Sequence, residues 1–279
     1  MGTVARSALN SPRPVALVTG ASSGIGRACA DLLARSGYTV YGASRSGGEG
    51  MTDNGWISLP MDVRDDTSVT EAAERIHGEA RRLDVVVNNA GIGIAGAVED
   101  TSIEEAMDLL QTNFLGALRV CRAVLPHLRA QGGGTIVNIS SIGGRIGLPF
   151  QGLYSASKFA LWGLSEALRI EVRPFRIRVI LVEPGDFYTG FTARRRRVAS
   201  ANPAYQGRFE RALQRVEADE KAGGDPAAVA RLVLKVVQLP NPRLRYTVGN
   251  PAQRLVAHAR GVVPGRLLES GITRYYRVR

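Results

Sequence analysis

Tyr154 and Lys158 stand four residues apart, so on a helix they share one face, a single turn from each other. Ser141 lies thirteen residues before Tyr154, at the end of the apolar run Thr135-Ile136-Val137-Asn138-Ile139, which reads as a buried strand. A hydroxyl from a strand end, a phenol and an ammonium can thereby converge on one point. A phenol with a pKa near about 10 is a poor acid or base at neutral pH, and a nearby Lys⁺ favours the phenolate and lowers that value. Such a trio can move a proton to or from a carbonyl or alcohol oxygen. The same spacing also fits helix packing plus one solvated charge, so the surrounding elements decide.

Those elements begin with an apolar strand over residues 14–19, the glycine-rich turn Gly20-Ala21-Ser22-Ser23-Gly24-Ile25-Gly26, and a helical run over 27–36. Strand, glycine-rich turn and helix are the context a dinucleotide-binding loop requires, although a plain strand-to-helix turn fits too. The glycines permit a tight turn and close approach of backbone to phosphate, and the helix N-terminus offers N–H groups and a favourable dipole. A second strand over 39–44 is followed directly by Arg45, with no Asp or Glu before Glu49. An acid there suits a ribose 2′-hydroxyl and an arginine suits a 2′-phosphate, so the cofactor expected is NADP(H) rather than NAD(H). Arg27 either assists or is a solvated helix residue.

Residues 46–56 read as a Gly- and Ser-rich loop, and 57–63 as a third strand ending near Asp62 and Val63. Asp65, Thr67 and Ser68 offer caps for a helix to about residue 82. A fourth strand over 83–87 leads into Asn88-Asn89-Ala90-Gly91, then a loop marked by Gly93 and Gly96. A long helix is expected over 102–130 with Asn113 in its middle, where an Asn is slightly unfavourable and needs a reason. The strand before Ser141, the Tyr154 helix to about residue 172, and a sixth strand over 178–182 closed by Glu183-Pro184-Gly185 complete the alternation. The expected fold is α/β: a Rossmann-type doubly wound parallel sheet of about seven strands with helices on both faces, in a single domain. Gly20, Arg45, Asp62, Asn89, Ser141 and Pro184 all fall at or just past strand carboxyl ends, where such sheets bind ligands.

Residues 186–224 break the pattern and read as a lid or substrate loop with helical pieces. Their run Arg194 to Arg197 meets either an anionic substrate or solvent. Asp225-Pro226 looks like a cap with Pro at the first helical position, and 245–248 reads as a seventh, edge strand. Residues 1–13 form an expected disordered lead, 14–250 the domain, and 251–279 a basic extension that covers either the substrate cleft or a subunit interface.

The chain carries 36 basic and 25 acidic residues, a net charge of +11. Three of the basic residues are lysines: Lys158, Lys221 and Lys235. The skew toward Arg reads as composition bias, and without a reading motif or an aromatic platform no nucleic-acid partner is expected. Two cysteines and three scattered histidines suggest neither a disulfide framework nor a metal site, which points to a reducing, cytoplasmic setting. No apolar stretch reaches the length of a membrane span.

The sequence resembles the short-chain dehydrogenase/reductase family over roughly residues 12–250. TGASSGIG at 19–26, NNAG at 88–91 and PG at 184–185 followed by Thr189 match that family's cofactor segments. Asn113, Ser141, Tyr154 and Lys158 fall where it has its catalytic group, in the same order. The resemblance implies that Tyr154 passes a proton to or from the substrate oxygen and that Ser141 polarises that oxygen. It implies that Lys158 lowers the phenol pKa and holds the ribose, and that Asn113 places a water. Gly20, Ser22, Ser23, Gly24, Ile25 and Gly26 would line phosphates and ribose, and Asp62 and Val63 the adenine. Asn89, Ala90, Gly91, Pro184, Gly185 and Thr189 would touch ribose and nicotinamide. The apolar segment 143–150 and Phe187 look similar to members acting on steroids, retinoids and other lipophilic alcohols or ketones. They suggest Gly93, Ile94, Gly143, Leu148, Phe150 and Phe187 as substrate contacts. The family also suggests a homodimer or homotetramer. A non-catalytic NADP(H)-binding sensor is the competing reading, and a complete Asn-Ser-Tyr-Lys group argues against it.

Overall fold

The computed structural model describes residues 13–261 and 263–278. All but Arg13 of the lead expected to be disordered lies outside them. The chain runs β1 (Val15–Thr19), α1 (Gly24–Arg35), β2 (Thr39–Ser44), β3 (Gly50–Met51), β4 (Ile57–Pro60), α2 (Asp66–Ala80), β5 (Val85–Asn88) and β6 (Ile94–Ala95). Next come α3 (Ile103–Leu110), a π turn (Gln111–Leu115), α4 (Gly116–Ala130), β7 (Gly134–Ile139), α5 (Gly152–Glu171) and β8 (Ile177–Pro184). The last part holds α6 (Phe191–Arg194), β9 (Arg196–Arg197), α7 (Pro203–Lys221), α8 (Ala227–Gln238), β10 (Arg245–Val248), α9 (Pro251–Ala259) and α10 (Gly265–Tyr275).

The main sheet has the order β10-β8-β7-β5-β1-β2-β4-β3. Its seven longer strands are parallel, and the two-residue β3 turns back antiparallel on β4. The parallel crossovers pass through helix, except that from β2 to β4, which runs through the 45–56 segment and β3. Central β1 shows why both faces must be covered. Val15 and Leu17 pack with α2 and α4 residues such as Ile76 and Val124, whereas Ala16 and Val18 pack with α1 and α8 residues such as Leu33 and Val233. Side chains alternate along a strand, so an all-apolar strand fills two cores at once. Cys121 belongs to the first core and Cys29 to the second, both buried.

Three departures from the sequence reading concern local geometry. Residues 46–56 contain β3, and Trp56 closes that hairpin by burying its ring and donating its indole N–H to Asp31 Oδ1 at 2.8 Å. The third expected strand stops at Pro60: Met61 N still bonds Ser44 O, but Asp62 N then turns to Ser68 Oγ at 3.1 Å. The helix expected over 102–130 is continuous in path but widens to a π turn over Gln111–Leu115. It starts on the Ser102–Glu105 capping box. The π turn holds Asn113 and supplies the reason its position needed.

Candidate active site

The loop after β1 is a cradle shaped by absent side chains. Gly20 and Gly24 adopt φ of +67° and +55°, left-handed values that glycine takes without strain. A Cβ on Gly26 would fall inside the van der Waals shells of Gly20 O and Asn89 Nδ2. Asn89 fastens this loop to the end of β5, donating from Nδ2 to Thr19 O at 2.9 Å. Thr19 Oγ1 accepts from the backbone N–H of Asn89 and of Ala90, both at 3.0 Å. The cradle and helix start fit the diphosphate of a dinucleotide.

Past the end of β2, Arg45 is exposed at the rim of the same cleft. Beside it, Arg64 grips Asp62 through its backbone N–H at 2.9 Å and through Nη2 at 3.0 Å. Burial works to raise the Asp62 pKa, but the Arg64 hydrogen bonds and charge, with the charge of Arg45, hold that carboxyl below its usual range. Arg64 also bonds Asp108 at 3.0 Å.

The catalytic candidates converge from three elements. Ser141 follows β7, and its Oγ accepts from Gly143 N at 3.0 Å. Tyr154 and Lys158 share one face of α5, and the Lys158 ammonium lies 5.9 Å from the Tyr154 ring centre. Lys158 Nζ donates to Ile139 O at 2.9 Å. Asn113 Oδ1 accepts from Ile92 N at 2.8 Å, and its Nδ2 donates to Ile92 O at 3.0 Å and to Ser157 Oγ at 3.1 Å. Ser157 Oγ in turn donates to Tyr154 O at 2.7 Å. Asn113 thus clamps the loop after β5 to the Tyr154 turn. A buried ladder pins the helix below: Asn88 Nδ2 donates to Asn138 Oδ1 at 2.9 Å, and Asn138 Nδ2 to Ser165 Oγ at 2.8 Å.

Burial dominates the acid–base balance. It pushes the Tyr154 phenol up to about 12, with the Ser141 hydrogen bond pulling the other way, Glu220 and Asp186 adding to the rise and Arg195 opposing it. Burial lowers the Lys158 ammonium to about 8. The phenol is raised by burial, and the lowering expected from Lys158 is not among the effects acting on it. At neutral pH Tyr154 is a protonated donor next to an ammonium that gives up its proton readily.

Residues 186–224 close over this centre, and the arginine run is a set of fasteners. Arg194 Nη2 donates to Ser23 Oγ at 2.6 Å, and buried Arg195 pairs with Glu220. Arg196 pairs with Asp108, and Arg197 with Glu210 at 2.8 Å. β9 adds itself parallel to β6, pairing Ile94 with Arg196. Phe191 places its ring 5.8 Å from that of Tyr154. The C-terminal extension covers the cleft, the first of its two expected places. Gln253 of α9 hydrogen-bonds both Asp186 N, at 3.2 Å, and its carboxylate. Tyr275 donates to Asp219 Oδ2 of α7 at 2.7 Å, and Tyr276 lines the cavity beside Asp186. Burial first, then Glu220 and Asp219, raise Asp186 to about 6, with Gln253 and Arg195 opposing.

One cavity of about 650 Å³ joins these groups. Its wall holds Gly20, Ser22, Ser23, Gly24, Ile25, Arg45, Asp62, Val63, Asn89, Ala90, Gly91, Ser141, Tyr154, Lys158, Pro184, Gly185 and Thr189. Gly26 and Asn113 lie behind it as supports. Of the substrate candidates, Gly93, Leu148 and Phe187 are on the wall. Gly143 packs between Ser141 and Tyr154 just behind it. Ile94 is buried with Leu109 and Val198 instead, and Phe150, at φ +60°, turns its ring to Phe209. Thr19, Arg64, Asp186, Glu220 and Tyr276 escape the sequence reading, and Arg194 enters it only within the run 194–197. For Thr19 and Arg64, adjacency to a strand end was the available signal.

A family model described as short chain dehydrogenase matches residues 14–199. The chain is 43% identical over 268 residues to a 3-ketodihydrosphingosine reductase of Bacteroides thetaiotaomicron, covering 95% of this chain and 98% of that protein. It is 33% identical to human 17-beta-hydroxysteroid dehydrogenase type 1, covering 84% and 77% of the two chains. The structure is similar to a short-chain dehydrogenase from Streptomyces avermitilis, with a TM-score of 0.80, 32% identity, and 96% and 98% of the two chains covered.

Proposed function

The chain belongs to the short-chain dehydrogenase family of oxidoreductases, and we propose that within it this protein is an NADP(H)-dependent reductase of a lipophilic ketone. The convergence of Ser141, Tyr154 and Lys158 beside the glycine cradle carries this reading. The bound nicotinamide would supply or accept the hydride. Ser141 polarises the carbonyl oxygen by hydrogen bonding, and Tyr154 donates its proton there as negative charge develops. A phenol pushed up to about 12 holds its proton at neutral pH, yet is far more acidic than the alcohol being made, so transfer runs toward product. Lys158, lowered to about 8, then returns a proton to the phenolate. Asn113 is a positioning residue: it fixes Ile92 and, through Ser157, the first turn of α5.

Arg45 supports NADP(H). It is exposed at the rim, and among the described residues it has no hydrogen-bond or ion-pair partner, so its guanidinium is available to a 2′-phosphate. Phe187, Phe191 and Leu148 on the cavity wall support an apolar substrate, in keeping with relatives named for a ketosphingoid and a steroid. A homodimer or homotetramer in the cytoplasm completes the reading; exposed Ile170 at 75% and Phe175 at 41% offer apolar surface at the end of α5. The test is a ketone panel followed by NADPH absorbance, with long-chain keto bases, steroids, retinal and aryl ketones, run on wild type and Tyr154→Phe. Turnover of an apolar ketone is expected, falling about 10²–10⁴-fold in the variant with NADPH affinity kept. Cofactor binding without turnover of any ketone would favour a sensor instead.

A further inference from the structure

The cofactor loop itself, residues 20–26, carries no cation, yet a dinucleotide brings two negative charges to it. Several cations line the cleft, and most are committed elsewhere. Arg64 is held by Asp62 and Asp108, and Arg196 by Asp108. Lys158 is deep at Tyr154, and Arg45 sits at the Asp62 end. Arg194 is different. It reaches from the lid to the loop, and among the described residues its hydrogen bonds go to neutral oxygens: Nη2 to Ser23 Oγ at 2.6 Å and Nε to Gly190 O at 3.1 Å. Ser23 is the N-cap of α1, but its hydroxyl makes no cap hydrogen bond to the helix. The lid packs at the same place, since a Cβ on Gly24 would meet Thr189 Cβ at 3.2 Å. A guanidinium without an anion, a serine hydroxyl that caps no helix N–H and a helix start therefore meet at one point of the cleft wall.

We propose that Arg194 is a binding residue for the diphosphate of the nicotinamide cofactor, and that engaging it fixes the lid over Tyr154. This rests on the nicotinamide reading of the cleft. Guanidinium geometry suits paired phosphate oxygens. Three residues earlier on the same short helix, Phe191 packs against the Tyr154 ring, and the next residue, Arg195, is locked to Glu220. Anchoring Arg194 thus sets the aromatic wall of the substrate pocket.

Binding titrations with NADPH, NADH and adenosine 2′,5′-bisphosphate, which lacks the diphosphate bridge, test this. Arg194→Ala is expected to weaken NADPH and NADH by a common factor of about 10–100 and to leave adenosine 2′,5′-bisphosphate within about twofold, with Arg194→Lys restoring only part of the loss. Arg45→Ala is expected to do the reverse, losing NADPH and the bisphosphate while keeping NADH. Amide exchange over residues 190–199 is expected to slow with NADPH but not with the bisphosphate. Unchanged dinucleotide affinity in Arg194→Ala, or equal loss of all three ligands, overturns the role of Arg194. Equal slowing by both ligands overturns the coupling to the lid. Wild type that binds neither dinucleotide refutes the cofactor reading itself, before any variant is made.

Discussion

At the scale of the residue, Tyr154 and Lys158 are tuned in opposite senses by one cause. Burial disfavours charge, so it raises the phenol to about 12 and lowers the ammonium to about 8. The sign of the pH dependence follows. Ketone reduction needs a protonated Tyr154 backed by a protonated Lys158, so kcat/KM should hold at neutral pH and fall as pH rises through about 8. A plateau to pH 10 would contradict the role of Lys158. The Tyr-Lys spacing was legible in the sequence because a helix repeats every turn. The depth of the site was not, because the Tyr154 ring is faced by Phe191, a lid residue thirty-seven positions away. Asn113 was legible as an oddity; its partners Ile92 and Ser157 needed the fold.

At the scale of the element, two strands were read to their ends: 39–44 and 245–248 match β2 and β10. Boundaries set by side-chain hydrogen bonds were missed, as where Ser68 ends the run after Pro60. The lid was legible as an interruption, but its fastening by Arg194 to Arg197 was not, since the partners are scattered over the start of α1, α3 and α7. Two predictions belong here. Gly26→Ala forces a methyl against Gly20 O and Asn89, so it should cost about 1–3 kcal/mol of stability and at least tenfold in NADPH affinity, read by melting and titration. Tyr276→Ala should raise KM for the proposed apolar ketone by about tenfold with kcat within twofold, because Tyr276 lines the cavity from the end of α10 and not from the elements that carry Ser141 and Tyr154. An equal fall in kcat would mean that the tail supports the chemistry itself.

At the scale of the whole molecule, one twisted sheet divides the interior into two cores, and the site sits on the edge common to both. The proposed homo-oligomer, if paired through the exposed end of α5, predicts a light-scattering mass above that of one chain, lowered by Ile170→Glu. Among the described residues no helix is long and apolar enough to cross a membrane. The placement of the two cysteines has another use. Cys29 lies on one side of the sheet and Cys121 on the other, and burial pushes both thiols up to about 12, so neither should react with an alkylating reagent while its layer is closed. Each is a native stopwatch for the opening of its own layer. Equal alkylation rates under native conditions would show the two halves breathing as one cooperative unit, and unequal rates would reveal which half lets go first, without a label being introduced anywhere in the chain.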